Sequence, residues 1–331
     1  MGVTIGYAGT FDEELLPEEL GDILGAIARD QGWGIRPLEL APEAARVGPE
    51  TLHRPRIKGV ALLPHAASDP LPFLIEPTTR TLLDSYAHHS GDEAVTLSQG
   101  PLVNVHFGGT EIHEEICRML HRLREECFSD LVVDDETGYF ATESDADLAR
   151  GYEKAWRILR RGVEELLAEG ARHFEVAGFG FHLDERQAAA EFDLLEAEER
   201  RFIEELDAAL QTDPGLLCTA FDEEILGAPA LDRMASRTDE QEERRPDPED
   251  PEMVLLAHEL GAAFGRLLVA NLAGHWMKDD EGNLFLGNVG GTGLRVDPFQ
   301  IAARRILIGP EHAFERHLRL FESFREHLHD L

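Results

Sequence analysis

The sequence contains few cysteines and almost no lysine. Only three of the 331 residues are cysteines, and no two of them form a CxxC pair. Three lysines leave arginine to supply 28 of the 31 basic residues. So few cysteines do not make the disulfide framework that is typical of secreted chains, so we expect the protein to lie in a reducing cytoplasm.

The sequence also predicts neither a secretory signal nor a membrane-spanning segment. The N-terminal residues lack the basic start, the long apolar segment and the cleavage site of a secretory signal. The most apolar long stretch, Met253–Gly274, is interrupted by His258, Glu259 and Arg266. Because charged side chains are costly inside a bilayer, we expect no membrane span.

Positive charge is scarce, and the formal net charge is −34. Contact with phosphate groups needs clustered basic residues, so binding to nucleic acid or to an anionic membrane is not expected. The acidic excess with little lysine fits a cytoplasm of high salt, and a GC-rich genome would also favour arginine over lysine. A third interpretation is an acidic mimic of nucleic acid that docks to a basic partner.

Apolar residues make up 43% of the chain, which is enough for a buried core. Patterns of apolar residues predict an α+β fold with four parts. These are a mixed β-sheet with packed helices (1–147), a helical region (148–234), an acidic Pro-rich linker or loop (235–251) and a C-terminal helix–β-hairpin–helix module (252–331).

The segment 102–140 has the clearest local pattern. Residues Leu102–Phe107 alternate as a strand, with His106 on the polar face. A helix follows with a stripe formed by Ile112, Ile116 and Leu120. We expect a second strand at Leu131–Val133 and an acidic turn directly after it. By contrast, the Pro-rich segment 36–56 is expected to be irregular.

The residues His113, Cys117 and His121 stand four apart on the predicted helix, so they share one side of it. Histidine and cysteine are common zinc ligands. His113 and His121 are separated by about 12 Å along the helix, too far for one ion. The metal hypothesis is therefore a His113–Cys117 pair completed by His106 or Asp134. The alternative is that these residues only pack.

In a metal-dependent hydrolase built on that pair, Glu114 would be the general base and His113 and Asp134 further catalytic candidates. The acidic turn of Asp134, Asp135 and Glu136 could also bind a divalent cation or serve as acid and base, although a solvated turn is the simpler interpretation. No cofactor is predicted, with a divalent metal such as zinc as the alternative.

Signatures of a nucleophilic enzyme are missing from the sequence, which has no GxSxG elbow and no Gly-Lys-Ser/Thr phosphate loop. The first hypothesis is therefore a non-catalytic cytoplasmic protein that binds another protein or regulates it. The metal-dependent hydrolase is the second hypothesis, and the acidic nucleic-acid mimic is the third.

Two segments resemble patterns in bacterial proteins without an assigned activity. Residues 106–140 (HFGG to GYF) join a small-residue strand end to a His-containing helix and an acidic turn. Residues 260–306 resemble a C-terminal module in which a Gly-Gly-x-Trp hairpin joins two helices, and here Ala273 stands at the first glycine. The resemblance implies a bacterial source and an accessory or immunity-type role, and it supplies no functional residues.

Overall fold

The computed structural model describes residues 2–40, 43–47, 50–54, 57–83, 100–128, 130–171, 173–176, 179–182, 201, 227–236, 250–278 and 282–329. The chain divides into two compact units, Met1–Trp156 and Arg157–Leu331. Both units contain helices and sheets, so the predicted α+β class is confirmed. The four-part division stays a prediction, and its expected linker lies largely outside the described residues.

The first unit contains nine described strands and the helices that pack on them. The strands are β1 (Thr4–Ala8), β2 (Gly34–Leu40), β3 (Glu43–Val47), β4 (Glu50–Arg54), β5 (Ile57–Leu63), β6 (Leu71–Ile75), β7 (Leu82–Leu83), β8 (Leu102–Asn104) and β9 (Val132–Asp135). The helices are α1 (Pro17–Gln31), α2 (Gly109–Glu126), α3 (Tyr139–Thr142) and α4 (Asp145–Ala168), and the boundary between the units falls within α4.

The strands of the first unit form antiparallel ladders in the orders β8-β1-β9, β2-β5-β6-β7 and β3-β4. The predicted stripe of α2 is buried in the same apolar cluster as the inward side chains of β1, which include Ile5 and Tyr7. The Tyr7 hydroxyl donates to the carbonyl oxygen of Pro72 at 2.9 Å and so connects two of the sheets. One continuous apolar core therefore holds the helices and both larger sheets of this unit.

The second unit has one five-stranded antiparallel sheet in the order β10-β11-β14-β13-β12. Its strands are β10 (His173–Val176), β11 (Phe179–His182), β12 (His275–Lys278), β13 (Leu284–Val289) and β14 (Leu294–Val296). Its helices after α4, within the described residues, are α5 (Ala228–Ala235), α6 (Pro251–Leu272), α7 (Pro298–Leu307) and α8 (Phe314–Leu328). The helix–hairpin–helix unit is thus present, with β14 as a third strand.

Local sequence explains how this C-terminal unit packs. A Cβ atom on Gly265 would meet the Trp276 ring at 2.3 Å, so only glycine lets α6 lie so close to β12. The Asp297 side chain accepts from the backbone N–H of Gln300, and Pro298 begins α7, as the capping pattern predicts.

Three expectations for the first unit need correction. The segment 36–56 contains strands β2 to β4, so it is not irregular as expected. The strand predicted for Leu102–Phe107 ends at Asn104, and a 3₁₀ turn follows at His106–Gly108. The strand predicted for Leu131–Val133 extends to Asp135, so the first two acids of the expected turn belong to a strand.

Helix α6 is long and apolar enough to cross a membrane by length and composition alone. In the described structure, 56% of its most apolar window is buried inside the protein. A core helix passes the same test, so this feature is weak evidence for a membrane.

Candidate metal centre

Helix α2 places His113 and Cys117 on its buried face. They are four residues apart, so their side chains lie one above the other on the helix. His113 is 0% exposed and Cys117 is 1% exposed. The stripe of Ile112, Ile116 and Leu120 carries both side chains inward, where the imidazole needs a polar partner and the thiol packs as a small apolar group.

Strand β9 places Asp135 opposite this face. Side chains alternate along a strand, and in β9 Val133 and Asp135 are half-buried whereas Val132 and Asp134 are exposed. The ladder with β1 pairs Asp135 with Ile5, which is fully buried. Asp135 therefore projects beneath α2, and its side chain is only 2% exposed.

The three side chains meet in one group, which we call the His–Cys–Asp cluster (His113, Cys117 and Asp135). One ligand atom from each residue lies within 4.8 Å of the ligand atoms of the other two. In this group, His113 Nε2 and Asp135 Oδ1 lie 3.2 Å apart. His113 Nδ1 is buried and has no hydrogen-bond partner within the described ranges.

Asp135 is held in place by the loop that follows β9. Its Oδ1 accepts from the Thr137 backbone N–H and its Oδ2 accepts from the Phe140 N–H, both at 2.9 Å. The Thr137 hydroxyl donates to the same carboxylate. A Cβ atom on Gly151 of α4 would lie 2.6 Å from the Thr137 side chain, so a glycine is needed there. The carboxylate is thus fixed before any ligand arrives.

These contacts determine the ionisation of Asp135. Burial alone would raise the pKa of this carboxyl, since it disfavours the charged form. Hydrogen bonds from His113 and from the N–H groups of Phe140 and Thr137, with the nearby charge of His113, outweigh burial and hold the pKa at about 2. Asp135 is therefore an anion at neutral pH.

Cys117 behaves in the opposite way. Burial raises the pKa of its thiol, and the negative charges of Asp135 and of the half-buried Glu114 raise it further. Reactive cysteines have a lowered pKa, because the thiolate is the nucleophile. Without a cation beside it, Cys117 is a protonated thiol that is unsuited to nucleophilic attack.

Two tyrosines form walls around the cluster. The His113 ring meets Tyr139 and Tyr152 edge to face, with centroid distances of 6.1 and 5.8 Å. The Tyr152 hydroxyl donates to the carbonyl oxygen of Gly109 at 2.9 Å, and burial raises the pKa of Tyr152. Both rings keep solvent away from the histidine.

Three residues singled out from the sequence lie elsewhere. His106 packs in an aromatic group with Phe107, Tyr152 and Trp156, because its 3₁₀ turn directs the ring inward. It is not part of the cluster in the described part of the chain. Asp134 is exposed on the outer face of β9, so its neighbour Asp135 stands in the expected position.

His121, the third residue of the helical series, contacts α3 and lies outside the cluster. Its ring stacks on Phe140 with centroids 4.0 Å apart, and its Nε2 lies 3.0 Å from the Phe140 carbonyl oxygen. Arg124 donates to the other ring nitrogen at 2.9 Å. This histidine therefore fastens α3 to α2.

The signal that could have identified Asp135 is the two-residue alternation of buried and exposed side chains along a β-strand. Leu131, Val133 and Asp135 have the same parity, so a strand extended by two residues buries the second aspartate and exposes the first. No family model, curated protein or solved structure matches this chain. The resemblance of its two segments to bacterial proteins stays a prediction.

Proposed function

We propose that the first unit binds one transition-metal ion of the zinc class in the His–Cys–Asp cluster. The observation that carries this proposal is the convergence of an imidazole, a thiol and an ionised carboxylate within 4.8 Å on two different elements. The proposed ligand set differs from the one expected from the sequence, because it has Asp135 where His106 or Asp134 was expected.

The ligand chemistry favours zinc over magnesium or calcium. Thiolate and imidazole are ligands that zinc prefers, whereas magnesium and calcium prefer oxygen. In a tetrahedral zinc site, neighbouring ligand atoms are separated by roughly 3.4–3.6 Å, given the usual zinc–ligand distances. The spread of up to 4.8 Å would therefore contract by about 1 Å on binding.

The surroundings of Asp135 also support a metal site. Carboxylates that bind metals are commonly held by further hydrogen bonds, as Thr137 and Phe140 hold this one. The two backbone N–H groups and the Thr137 hydroxyl already use most of the lone pairs of this carboxylate, so an ion would take the position that the His113 ring now contacts. A cation there would also favour the Cys117 thiolate.

A non-catalytic role fits the burial better than the hydrolase alternative. A hydrolytic metal needs a position that water and substrate can reach. His113 and Cys117 are at most 1% exposed, and two tyrosines flank the histidine. We therefore assign the ion a structural role that links α2 to β9, in which a fourth ligand joins the three side chains of the cluster, within a protein that we propose to be cytoplasmic.

Cobalt(II) tests this proposal, because a cobalt–thiolate bond gives a charge-transfer absorption band. We expect the band when cobalt is added to the chelator-treated wild type and no band for Cys117→Ser. Cys127→Ser is the matched control, because Cys127 is equally buried at the end of the same helix. A wild type without the band, or a band that survives in Cys117→Ser, would contradict the proposal.

A second candidate function is protein binding by the second unit. Helices α6 and α7 border a cavity of about 260 Å³ lined by residues that include Met253, Ala257 and Phe299. Two apolar residues of this lining are also well exposed to solvent, Val254 at 40% and Leu307 at 37%. Exposed apolar side chains around a cavity are typical of protein-binding surfaces.

Affinity capture tests the second candidate with charge-introducing variants. We expect Val254→Asp, at an exposed position of the cavity lining, to lose a partner that the wild type captures from its own cells. Val132→Asp, at an exposed position in the first unit, should keep that partner. Equal capture by both variants would contradict binding at this surface.

A further inference from the structure

A second cavity lies within the first unit, between α1 and the sheet β2-β5-β6-β7. Its volume is about 440 Å³. The ladder pairs Val60 with Phe73 and Gly59 with Leu74, so Lys58, Val60, Phe73 and Ile75 occupy one face of the sheet. All four line the cavity, together with Leu20 of α1, so the cavity lies on the face turned toward α1.

The floor of this cavity is apolar. Leu20, Phe73 and Ile75 are buried members of the main core, and Val60 packs against it. Pockets for small molecules typically occupy roughly 300–1,000 Å³ and combine apolar walls with a few polar groups. The cavity therefore has the size and the lining of a site for a small organic molecule.

The charged groups of the lining have one sign. Lys58 and Arg80 line the cavity, and no carboxylate does so among the described residues. The chain has 65 acidic and 31 basic residues, so a wall with two cations and no acid is opposite to its general charge. Glu39 stands opposite Lys58 in the β2–β5 ladder but does not belong to the lining.

Arg80 is fixed in position without an ion pair to any described carboxylate. Its Nε donates to the Phe11 carbonyl oxygen at 3.1 Å, and its Nη2 donates to the Leu15 carbonyl oxygen at 2.7 Å and to that of Asp12. The backbone of Arg80 has a φ of 59°, in the left-handed region that residues other than glycine rarely adopt. Such strain often marks ligand sites, and backbone carbonyls leave the net charge of the guanidinium in place.

We infer that this cavity binds a small amphiphilic anion, an organic acid whose apolar body lies on Phe73 and Ile75 and whose charged group faces Lys58 and Arg80. The inference is independent of the metal proposal, because the two sites share no residue. The ligand class follows from the opposite charge of the two cations and from the apolar floor.

Titration calorimetry with octanoate as the probe tests the charge of the site. We expect octanoate to bind the wild type, to bind more weakly as salt is raised, and to bind more tightly than 1-octanol, which lacks the charge. Lys58→Met should weaken binding about fivefold, as expected for one partly screened charge. Lys154→Met removes an exposed lysine on α4 and should leave the affinity unchanged.

A second variant tests the location of the site. Gly21 of α1 lines the cavity, and a Cβ atom added there would have no heavy atom within 4 Å. The side chain of Gly21→Leu should therefore fill the cavity and block octanoate. The same change should stabilise α1, because leucine has a higher helix propensity than glycine. Gly162→Leu is the control, because this helical glycine also has open space around it. Failure of octanoate to bind the wild type, or full binding by Gly21→Leu or Lys58→Met, would overturn the inference.

Discussion

Each unit contains a largely buried aspartate that accepts hydrogen bonds from the first turn of a helix. In the second unit, Asp232 accepts from the backbone N–H groups of Phe314 and Glu315, at 2.8 and 3.0 Å, at the start of α8. Its remaining partner is the Arg305 guanidinium, with Nε 3.4 Å from Oδ1. Asp135 likewise accepts from the backbone N–H of Phe140 in the first turn of α3, but the basic side chain beside it is His113.

The two carboxyls differ in pKa. Burial raises the pKa of Asp232 and outweighs the N–H groups of α8 and the charge of Arg305. At Asp135 the hydrogen bonds and the charge of His113 outweigh burial, so the pKa is about 2. A buried polar residue is therefore not in itself a functional signal. The neighbouring side chains distinguish the two sites: of these two aspartates, Asp135 is the one that lies beside a histidine and a cysteine.

The largest effect is expected where a buried charge loses its partner. Arg305→Met leaves the carboxylate of Asp232 without a cation, so the free energy of unfolding should fall by about 3–5 kcal/mol. Denaturant unfolding measures this. Adding Asp232→Asn to Arg305→Met should restore part of the loss, since no unpaired charge remains. A loss below about 1 kcal/mol would show that Asp232 needs no cation.

An intermediate effect is expected for Asp135→Asn in metal-free protein. Lowering a carboxyl pKa from 3.8 to about 2 corresponds to about 2 kcal/mol of stability at neutral pH. Because the folded-state pKa is lowered, this contribution is complete above the unfolded-state pKa and disappears as pH falls toward 2. The difference in unfolding free energy between the two proteins should therefore be nearly complete at pH 7 and pH 4, about half as large at pH 3 and almost absent at pH 2.

The neighbouring residue provides the control for that experiment. Asp134 is exposed on the outer face of the same strand. We expect Asp134→Asn to match the wild type at every pH. A constant difference between wild type and Asp135→Asn down to pH 3 would rule out the ionised carboxylate as the source of stability.

The smallest effect is expected at His121. His121→Ala removes the contact with the Phe140 carbonyl oxygen and the stacking on that ring, so unfolding should become easier by about 1 kcal/mol. Metal binding should stay unchanged, because this residue lies outside the cluster. Loss of metal in this variant would show that α3 must be fixed for the site to form.

Local patterns predicted the elements better than they predicted the site. The stripe of α2, the cap of α7 by Asp297 and the β12–β13 hairpin depend on neighbours in sequence, and all three are present. The choice between Asp134 and Asp135 depends on where β9 ends, and a small error there exchanges the two faces of the strand. His106 was misplaced because a 3₁₀ turn replaced the last residues of a predicted strand.

Contacts between distant segments had no local signal. Asp232 and Arg305 are separated by more than 70 positions, and neither belongs to a motif. The residues that line the 440 Å³ cavity come from α1, from two strands and from the turn after them. The sequence does not show that two cations line one cavity, because Lys58 and Arg80 stand 22 positions apart and meet only in the folded chain.

Metal content per chain tests the central claim most directly. Untagged protein is loaded with zinc, dialysed against metal-free buffer and analysed by mass spectrometry, for the wild type, His113→Ala and His121→Ala. We expect about one zinc per chain in the wild type and in His121→Ala, and none in His113→Ala. A wild type that retains no zinc, or a His113→Ala variant that retains as much as the wild type, would contradict a metal centre at His113, Cys117 and Asp135.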